Sequence, residues 1–307
     1  MSSGMRKTTI REIKGSFGRY MAIMAIVMLG VGLFTGLKAT TPAMITTENT
    51  YLAEQNFFDF RLLSTIGFTE DDLEMLTEMD EIAAVEGSIS VDVLCAVGEG
   101  NESVYKIHEV PKEINRIVLT AGRMPESADE CVLDASLYDE NAIGSQITVT
   151  DNNAEDTLEM FRNRTFTAVG IVRSPYYINF ERGTTSIGEG RVAAFLYVPK
   201  ETFDCDYLTE IYVTTVEKYD VYTDEYKDYI DALQDKMEEK TDLIVLSRYG
   251  ELIGEAQEKI NDAQQELDEK SSEAEEELED AWQKILDGEQ ELSDGEQEII
   301  DGDREIA

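Results

Sequence analysis

The sequence YMAIMAIVMLGVGLFTGL, residues 20–37, decides how this chain is organised. It runs for 18 residues without a charge and is bounded by Arg19 and Lys38. At about 1.5 Å per residue, a helix of this length reaches roughly 27 Å, close to the thickness of the hydrocarbon core of a bilayer. Its apolar residues surround the helix on all sides, whereas a surface helix of a soluble protein is apolar on one face. We therefore predict a transmembrane helix and its exit over residues 20–44.

Basic residues precede this span. Residues 1–19 carry five Lys and Arg side chains against one Glu. Because positive flanks tend to stay in the cytoplasm, we predict a cytoplasmic N-terminus and an extracytoplasmic main domain in the cell membrane. Ile10, Ile13 and Phe17 share one helical face, which favours a short interfacial helix over residues 1–19. An ordinary basic flank without defined structure is the alternative.

Two features of the span itself leave alternatives open. A cleaved signal peptide also has a basic start and an apolar core, although Lys38 and Pro42 stand where cleavage would be expected. Gly32 and Gly36 form a GxxxG pair, which lets membrane helices approach closely and predicts other membrane helices as partners. Glycine is also simply frequent in membrane helices, which is the alternative for this pair.

The composition excludes several classes of protein. The 307 residues contain 26 Lys and Arg against 65 Asp and Glu, a net charge of −39, which excludes a nucleic-acid binder that works by neutralising phosphates. Three cysteines cannot form a disulfide scaffold, and one histidine cannot build a histidine metal site. Hydrophobic residues make up 42% of the chain, enough for a packed core.

Residues 45–250 predict an extracytoplasmic α+β domain. Helices are predicted over residues 68–79 and 224–240, the first with Thr69 as its N-cap. Alternating apolar and polar residues are typical of half-buried strands. The predicted strands are residues 57–64, 85–97, 103–108, 131–133, 146–150, 166–172, 192–198, 211–216 and 243–247.

We expect no enzymatic activity from this chain. It has no GxxxxGK[ST] loop, no GxSxG and no HExxH, so catalytic, cofactor-binding and metal sites are all predicted to be absent. His108 lies in an alternating, strand-like run and is predicted to be a surface or edge residue. Cys95, Cys131 and Cys205 are predicted to be small core residues, with a disulfide between two of them as the alternative.

The last segment, residues 251–307, is the most regular part of the chain. It carries 22 acidic residues against four basic ones, and two kinds of residue recur in it every seven positions. The large ones are Leu278, Ile285, Leu292, Ile299 and Ile306, and the small ones are Ala274, Ala281, Gly288, Gly295 and Gly302. This heptad pattern predicts a helical coiled-coil stalk with one large and one small core position.

The small positions predict a partner for the stalk. A glycine in a helix interior costs about 1 kcal/mol relative to alanine, and a second helix that packs closely against the bare stripe offsets this loss. We therefore predict an antiparallel helix partner, either a segment beyond residue 307 or another copy of the chain. A solvated acidic helix or a disordered acidic tail is the alternative.

Two strings resemble a known family. LTAGRMPESADECVLD, residues 119–134, and FTAVGIVRSPYYINFERGTTSIGEGRVAAFLYVP, residues 166–199, are similar to the motifs of the MacB-like periplasmic core domain. In these strings Gly122 and Pro125 are expected to shape a turn, and Gly170 to let a strand bend. Together with the basic start and the single span, they resemble the FtsX-like (MacB/LolC-type) permease subunits of ABC transporters.

The resemblance implies a function. Such a permease relays ATP hydrolysis in a cytoplasmic ATPase subunit to its outer domain by mechanotransmission, for export of, or signalling about, lipids, lipoproteins, peptides or antibiotics. ATP is then bound by the ATPase partner and this chain needs no cofactor. Family permeases have three further membrane helices, so we expect this chain to be an N-terminal part that packs with other permease helices or a second permease copy. The alternative is a membrane-anchored or secreted coiled-coil protein with a structural or adhesive role.

Overall fold

The computed structural model describes the backbone of residues 3–98 and 100–306 and the side chains of residues 4–98 and 100–300. The helices are α1 Ser3–Gly15, α2 Phe17–Glu54, α3 Glu70–Thr77, α4 Glu155–Glu159 and α5 Asp224–Ile306. The strands are β1 Phe60–Phe68, β2 Ile82–Ser88, β3 Ser90–Val97, β4 Ser103–Glu109, β5 Val118–Gly122, β6 Glu130–Asp134, β7 Gln146–Val149, β8 Thr165–Arg173, β9 Ala194–Val198 and β10 Leu208–Thr215. The fold is therefore a mixed α/β domain with one apolar N-terminal helix and one long C-terminal helix.

The chain forms two compact units, divided between Thr241 and Asp242. The first unit contains all the strands named above, in two sheets. The small sheet is antiparallel, with strand order β1-β10-β2. The large sheet has the order β5-β8-β6-β9-β4-β3-β7, and a further pairing of β7 with β8 closes it on itself. The second unit is the helical segment of α5 after Thr241.

The core of the first unit fills the interior of the large sheet. Its fully buried large side chains include Phe166, Phe195, Leu133, Leu196 and Ile147. They come from strands predicted by alternation, because one face of each strand is apolar. Cys95 and Cys131 are buried as free thiols, as predicted, whereas Cys205 is a free cysteine of intermediate exposure.

Helix α3 confirms the helix predicted over residues 68–79. Thr69 stands before its first turn with extended backbone, and its N–H donates to Asp72 Oδ2 at 2.8 Å. The acidic residues of the first turn lie where the unpaired N–H groups and the helix dipole favour negative charge.

The run predicted as one strand over residues 85–97 is two strands in different sheets. β2 ends at Ser88 in the small sheet, and β3 starts at Ser90 in the large sheet. Ile89, only 1% exposed, makes the crossing, and the Thr209 hydroxyl accepts a hydrogen bond from Ser90 N at 2.7 Å beside it. Alternation continues through the crossing, so the sequence pattern gave no sign of it.

The prediction of a strand over residues 243–247 is wrong. These residues continue helix α5 without a break. The sequence LIVLS has high strand propensity, but helix-favouring residues lie on both sides and helix formation is cooperative along the chain. The first predicted strand, residues 57–64, is shifted to Phe60–Phe68, and strand β5 and helix α4 were not predicted.

Candidate functional site

Helix α2 contains the whole apolar span predicted over residues 20–37 and continues beyond it to Glu54. The helix has 38 residues, and its most apolar stretch has a mean hydropathy of 2.1 and is 0% buried. The helix is therefore long and apolar enough to cross a membrane. At about 1.5 Å per residue the helix is roughly 57 Å long, so it extends well past one hydrocarbon core of about 30 Å. Gly32 and Gly36 lie in this helix, and no described atom comes within 4 Å of where a Cβ would stand at either.

The end of α2 is hydrogen-bonded into the domain. Gln55 O accepts from Arg116 N at 3.0 Å, and Asn56 O accepts from Asn115 N at 3.1 Å. Phe58 N then donates to the side-chain oxygen Oδ1 of Asn115 at 3.2 Å. We call Gln55, Asn56, Phe58, Asn115 and Arg116 the helix junction. It leaves no free linker between the apolar helix and the sheets.

Asn115 is the centre of the helix junction. It is 3% exposed and has a φ of 60°, a left-handed conformation that asparagine adopts more readily than most residues. The conformation turns both its backbone N–H and its side chain towards the chain that leaves α2. The sequence gave no motif for this contact because the two segments lie about 60 residues apart.

A second set of bonds gathers three elements around Asp59, just before β1. Its Oδ2 accepts from Thr215 N at 2.8 Å, from the Thr215 hydroxyl at 2.9 Å and from Lys218 Nζ at 3.2 Å. Its Oδ1 accepts from the Tyr226 hydroxyl at 3.3 Å. Burial, and next to it the Asp59 charge, raise the pKa of Tyr226 to about 12. Asp59 therefore joins the start of β1, the end of β10 and the start of α5.

The turn just before α5 is also bonded directly to α2. Asn49 Oδ1 accepts from Val221 N at 3.1 Å, and Glu48 accepts from the Tyr222 hydroxyl at 3.0 Å. The last turns of α2 are therefore bonded both to the helix junction and to the turn that precedes the long helix.

The two sheets meet at a buried polar cluster, which we call the sheet seam: Arg61, His108, Tyr177 and Glu210. Glu210, 0% exposed on β10, pairs with Arg61 Nη2 at 2.6 Å. His108 on β4 points Nδ1 at Glu210 Oε1 at 3.6 Å, while its Nε2 lies 2.7 Å from the Tyr177 hydroxyl. A carboxylate of the small sheet therefore lies against an imidazole of the large sheet.

The ionisation of the sheet seam follows from burial and charge. Burial lowers the pKa of His108 and favours the neutral ring, and nearby Glu210 opposes this only in part. Burial alone would raise the pKa of Glu210, but the contacts with His108 and Arg61 outweigh it and hold this pKa at about 2. Glu210 is therefore ionised and its charge is compensated mainly by Arg61.

The prediction that His108 is a surface or edge residue is wrong. It is 2% exposed and β4 lies between β9 and β3, in the middle of the large sheet. The ring of Tyr197 stacks on it at 5.0 Å. A polar residue in an alternating run normally faces water, and here it faces the small sheet instead.

A second buried ion pair anchors the loop between β8 and β9. Arg182 Nε lies 2.5 Å from Asp134 Oδ2, with both side chains 4% exposed or less. Two residues earlier Phe180 is 99% exposed, and a cleft of about 1030 Å³ opens beside the loop. The ion pair therefore fixes the loop at Arg182, while the Phe180 ring is exposed to solvent.

The predicted stalk residues lie on α5 in the second unit. Leu278, Ile285, Leu292 and Ile299 are between 51% and 68% exposed, and nothing described approaches within 4 Å of a Cβ at Gly288 or Gly295. The surroundings of Gly302 and the side chain of Ile306 lie outside the described part of the chain. The helix is present, and the coiled-coil pairing stays a prediction.

The described side chains, residues 4–98 and 100–300, form no group of three or more His, Cys, Asp and Glu that could hold a metal ion. The features that stand out are an apolar helix, its hydrogen-bonded junction with the domain and a charged cluster between the two sheets.

Comparison with known proteins identifies the class of protein that has this architecture. The sequence matches the family of the MacB-like periplasmic core domain over residues 21–263, most of the chain. The chain therefore belongs to this family, that of the MacB/FtsX-like permeases of ABC transporters. Permeases of this kind work with an ATPase partner. The domain and the apolar helix indicate a membrane protein with an extracytoplasmic domain.

The solved structures that match include two extracytoplasmic domains. The extracellular domain of the ABC-type transporter YknZ from Gram-positive bacteria has 13% identity and a TM-score of 0.32, over 50% of this chain and 76% of that one. The periplasmic region of MacB from Actinobacillus actinomycetemcomitans has 14% identity and a TM-score of 0.29, over 57% and 75%. A comparison with curated proteins gives no match.

Proposed function

We propose that this permease couples ATP hydrolysis in a cytoplasmic ATPase subunit to its extracytoplasmic domain by mechanical transmission through α2. The observation that carries the proposal is the helix junction. A helix of 38 residues runs through the apolar span and ends in hydrogen bonds to the domain, with only residues 55–59 before the first strand. A flexible linker at this place would absorb the movement of the helix, whereas a bonded junction transmits it.

The same proposal includes a class of substrate and a set of partners. The movement serves export of, or signalling about, lipids, lipoproteins, peptides or antibiotics. ATP is bound by the partner subunit and not by this chain, which carries out no catalysis itself. Other permease helices, or a second permease copy, pack against α2, where Gly32 and Gly36 offer a face without side chains.

The coupling is tested with Asn115→Gly. Glycine accepts the positive φ of this position but removes the acceptor for Phe58 N, so the backbone is kept and the junction is loosened. A cysteine replaces exposed Ser136, and its maleimide labelling rate is measured in native membranes with ATP and vanadate and without nucleotide. We expect a nucleotide-dependent rate in the parent protein and a loss of most of that dependence in Asn115→Gly.

The matched control is Asn101→Gly, at an exposed position of the β3–β4 turn, which should keep the dependence. An ATPase should also co-purify with the detergent-solubilised chain, in both variants alike. A parent protein whose labelling ignores nucleotide, or a preparation without any ATPase, would overturn the proposal.

The orientation is tested by labelling intact cells with a membrane-impermeant maleimide. Cys205 is first replaced by serine, since the other two cysteines are buried. Asp280→Cys should label before lysis, and Thr8→Cys only after lysis. The reverse pattern would place the domain on the cytoplasmic side.

A further inference from the structure

The second unit exposes a continuous apolar face. The four large residues Leu278, Ile285, Leu292 and Ile299 are more than half exposed and follow one another every seven positions along α5. Trp282, the only tryptophan, adds 58% of its surface beside them. Contiguous exposed apolar surface of this kind marks an interaction site. The spacing of large and small residues is that of a coiled-coil seam, so the shape of the face fits another helix.

The residues that border this seam are almost uniformly acidic. In a coiled coil the positions directly after the small core residues and directly before the large ones face the partner helix and choose it by charge. We call these eight residues the flanking positions. They are Glu275, Trp282, Glu289 and Glu296 on one side, and Glu277, Lys284, Glu291 and Glu298 on the other.

This charge pattern opposes a second copy of the same helix. In a parallel pair each flanking side of one helix faces the other side of its partner, and in an antiparallel pair each side faces itself. Six of the eight flanking positions are glutamate, so both arrangements place glutamate against glutamate. Like charges across such a seam act against pairing and favour a partner of opposite sign.

We infer that the apolar face of α5 docks a helix of opposite charge: a segment with an apolar heptad face and Lys or Arg at the positions that flank it. The bare glycines let its backbone approach, the large aliphatic residues supply the buried surface, and the glutamates select the partner. The inference goes beyond the coupling mechanism and does not depend on it.

Trp282 reports directly on this docking. The full chain in nanodiscs is titrated with three synthetic peptides of about 35 residues that contain no tryptophan. The first has an apolar heptad face with Lys at all flanking positions, the second has Glu there, and the third is a scrambled sequence with the composition of the first. We expect a blue shift of Trp282 fluorescence with the Lys peptide only, and an affinity that falls at least about tenfold between about 50 and 500 mM NaCl.

Two charge-reversed variants separate a specific seam from general attraction to an acidic helix. The first carries E289K, E291K, E296K and E298K at flanking positions, and the second carries E276K, D280K, D287K and D294K on the opposite face. Both change the net charge equally. We expect the first variant to bind the Lys peptide at least about tenfold more weakly and to gain binding of the Glu peptide. The second should stay within about threefold of the parent protein.

Four results would overturn the inference. They are no fluorescence shift with the Lys peptide, equal binding of the scrambled peptide, equal weakening in both variants, and a chain that already dimerises through this face. The last is checked by the mass of the detergent-solubilised chain, with Leu292→Gln as the variant that would dissociate such a dimer.

Discussion

Glu109, the last residue of β4, is a carboxyl held in a poor environment for its charge. It is 5% exposed, and its Oε2 has no hydrogen-bond partner among the described residues. Burial raises the pKa of Glu109 to about 7, although Lys200 and Lys112 act in the opposite direction. The folded state therefore binds a proton at this site more tightly than the unfolded chain does.

The sign of the pH dependence follows from this shift. Below the pKa that Glu109 has in the unfolded chain, the group is protonated in both states and does not change the free energy of unfolding. As the pH rises from there to about 7, the buried carboxyl increasingly lowers the stability of the folded state. We expect Glu109→Gln to stabilise the first unit at about pH 8, by up to about 3 kcal/mol, and to change little at about pH 4. Thermal unfolding of the chain across this pH range measures the effect. Glu113→Gln, at an exposed position of the following loop, is the control and should leave the profile unchanged.

Glu210 is the opposite case, a buried carboxylate whose charge is compensated. Replacing it by glutamine removes the partner of Arg61, a side chain only 20% exposed, and breaks the sheet seam. We expect Glu210→Gln to lower the free energy of unfolding by about 3 kcal/mol, because one buried charge loses its counter-charge. Chemical denaturation of the detergent-solubilised chain measures this loss.

The comparison for Glu210 is an exposed ion pair. Arg162 and Asp204 lie 3.1 Å apart with side chains 62% and 60% exposed, so Asp204→Asn should change stability by less than about 1 kcal/mol. If Glu210→Gln and Asp204→Asn lowered the free energy of unfolding equally, the Glu210 charge in the sheet seam would have no special role.

Strands β5 and β8 pair antiparallel, and two glycines face each other across the pair. Gly122 has a φ of +76° and pairs with Gly170 across the strands. A Cβ on Gly122 would stand 2.7 Å from Gly170 Cα and also meet Val169 O. The sequence predicted a turn at Gly122 and a bend at Gly170; what the structure shows at both positions is close backbone approach.

We expect Gly122→Ala to destabilise the first unit by more than about 2 kcal/mol, since it adds a backbone clash to the left-handed conformation. Gly144→Ala isolates the conformational part, because Gly144 has a φ of +93° and nothing within 4 Å of its Cβ position. That variant should lose only about 1 kcal/mol. If the unfolding curves of the two variants coincide, the role given to the close approach of β5 and β8 is contradicted.

At the same scale, one helix prediction succeeded and one strand prediction failed, for different physical reasons. The helix over residues 68–79 was found from its cap and its acidic first turn, both local signals. The run over residues 243–247 looks like a strand by residue type, yet a strand needs a neighbour to satisfy its backbone groups, and a helix satisfies its own. The five residues therefore follow the helix in which they lie.

For the whole molecule, the property to test first is the proposed insertion of α2 into the bilayer. Val27→Arg places a charge in the middle of the apolar span and should lower insertion by about 3 kcal/mol, so that a large part of the chain leaves the membrane fraction after alkaline carbonate treatment. Thr46→Arg, in the same helix but beyond the span, should remain in the membrane fraction. Retention of both variants would mean that α2 does not hold the chain in the bilayer.

The sequence by itself determined the features that depend on residues close together in the chain. The apolar span, the acidic heptads of α5, the capped helix α3 and the general alternation of the strands all depend on contacts a few residues apart. These patterns, with two motif strings, were enough to indicate an ABC transporter permease. Helix α5 is longer than predicted for the same physical reason, since local propagation is cooperative.

Only the tertiary structure decided what brings distant segments together. The crossing at Ile89, the burial of His108 against Glu210 and the hold of Asn115 on the end of α2 join residues that lie far apart in the chain. A period of two residues shows which side chains share a face of a strand, but not which sheet the strand enters or what covers that face. The helix junction and the sheet seam are therefore products of strand pairing and burial, and no local pattern encodes them.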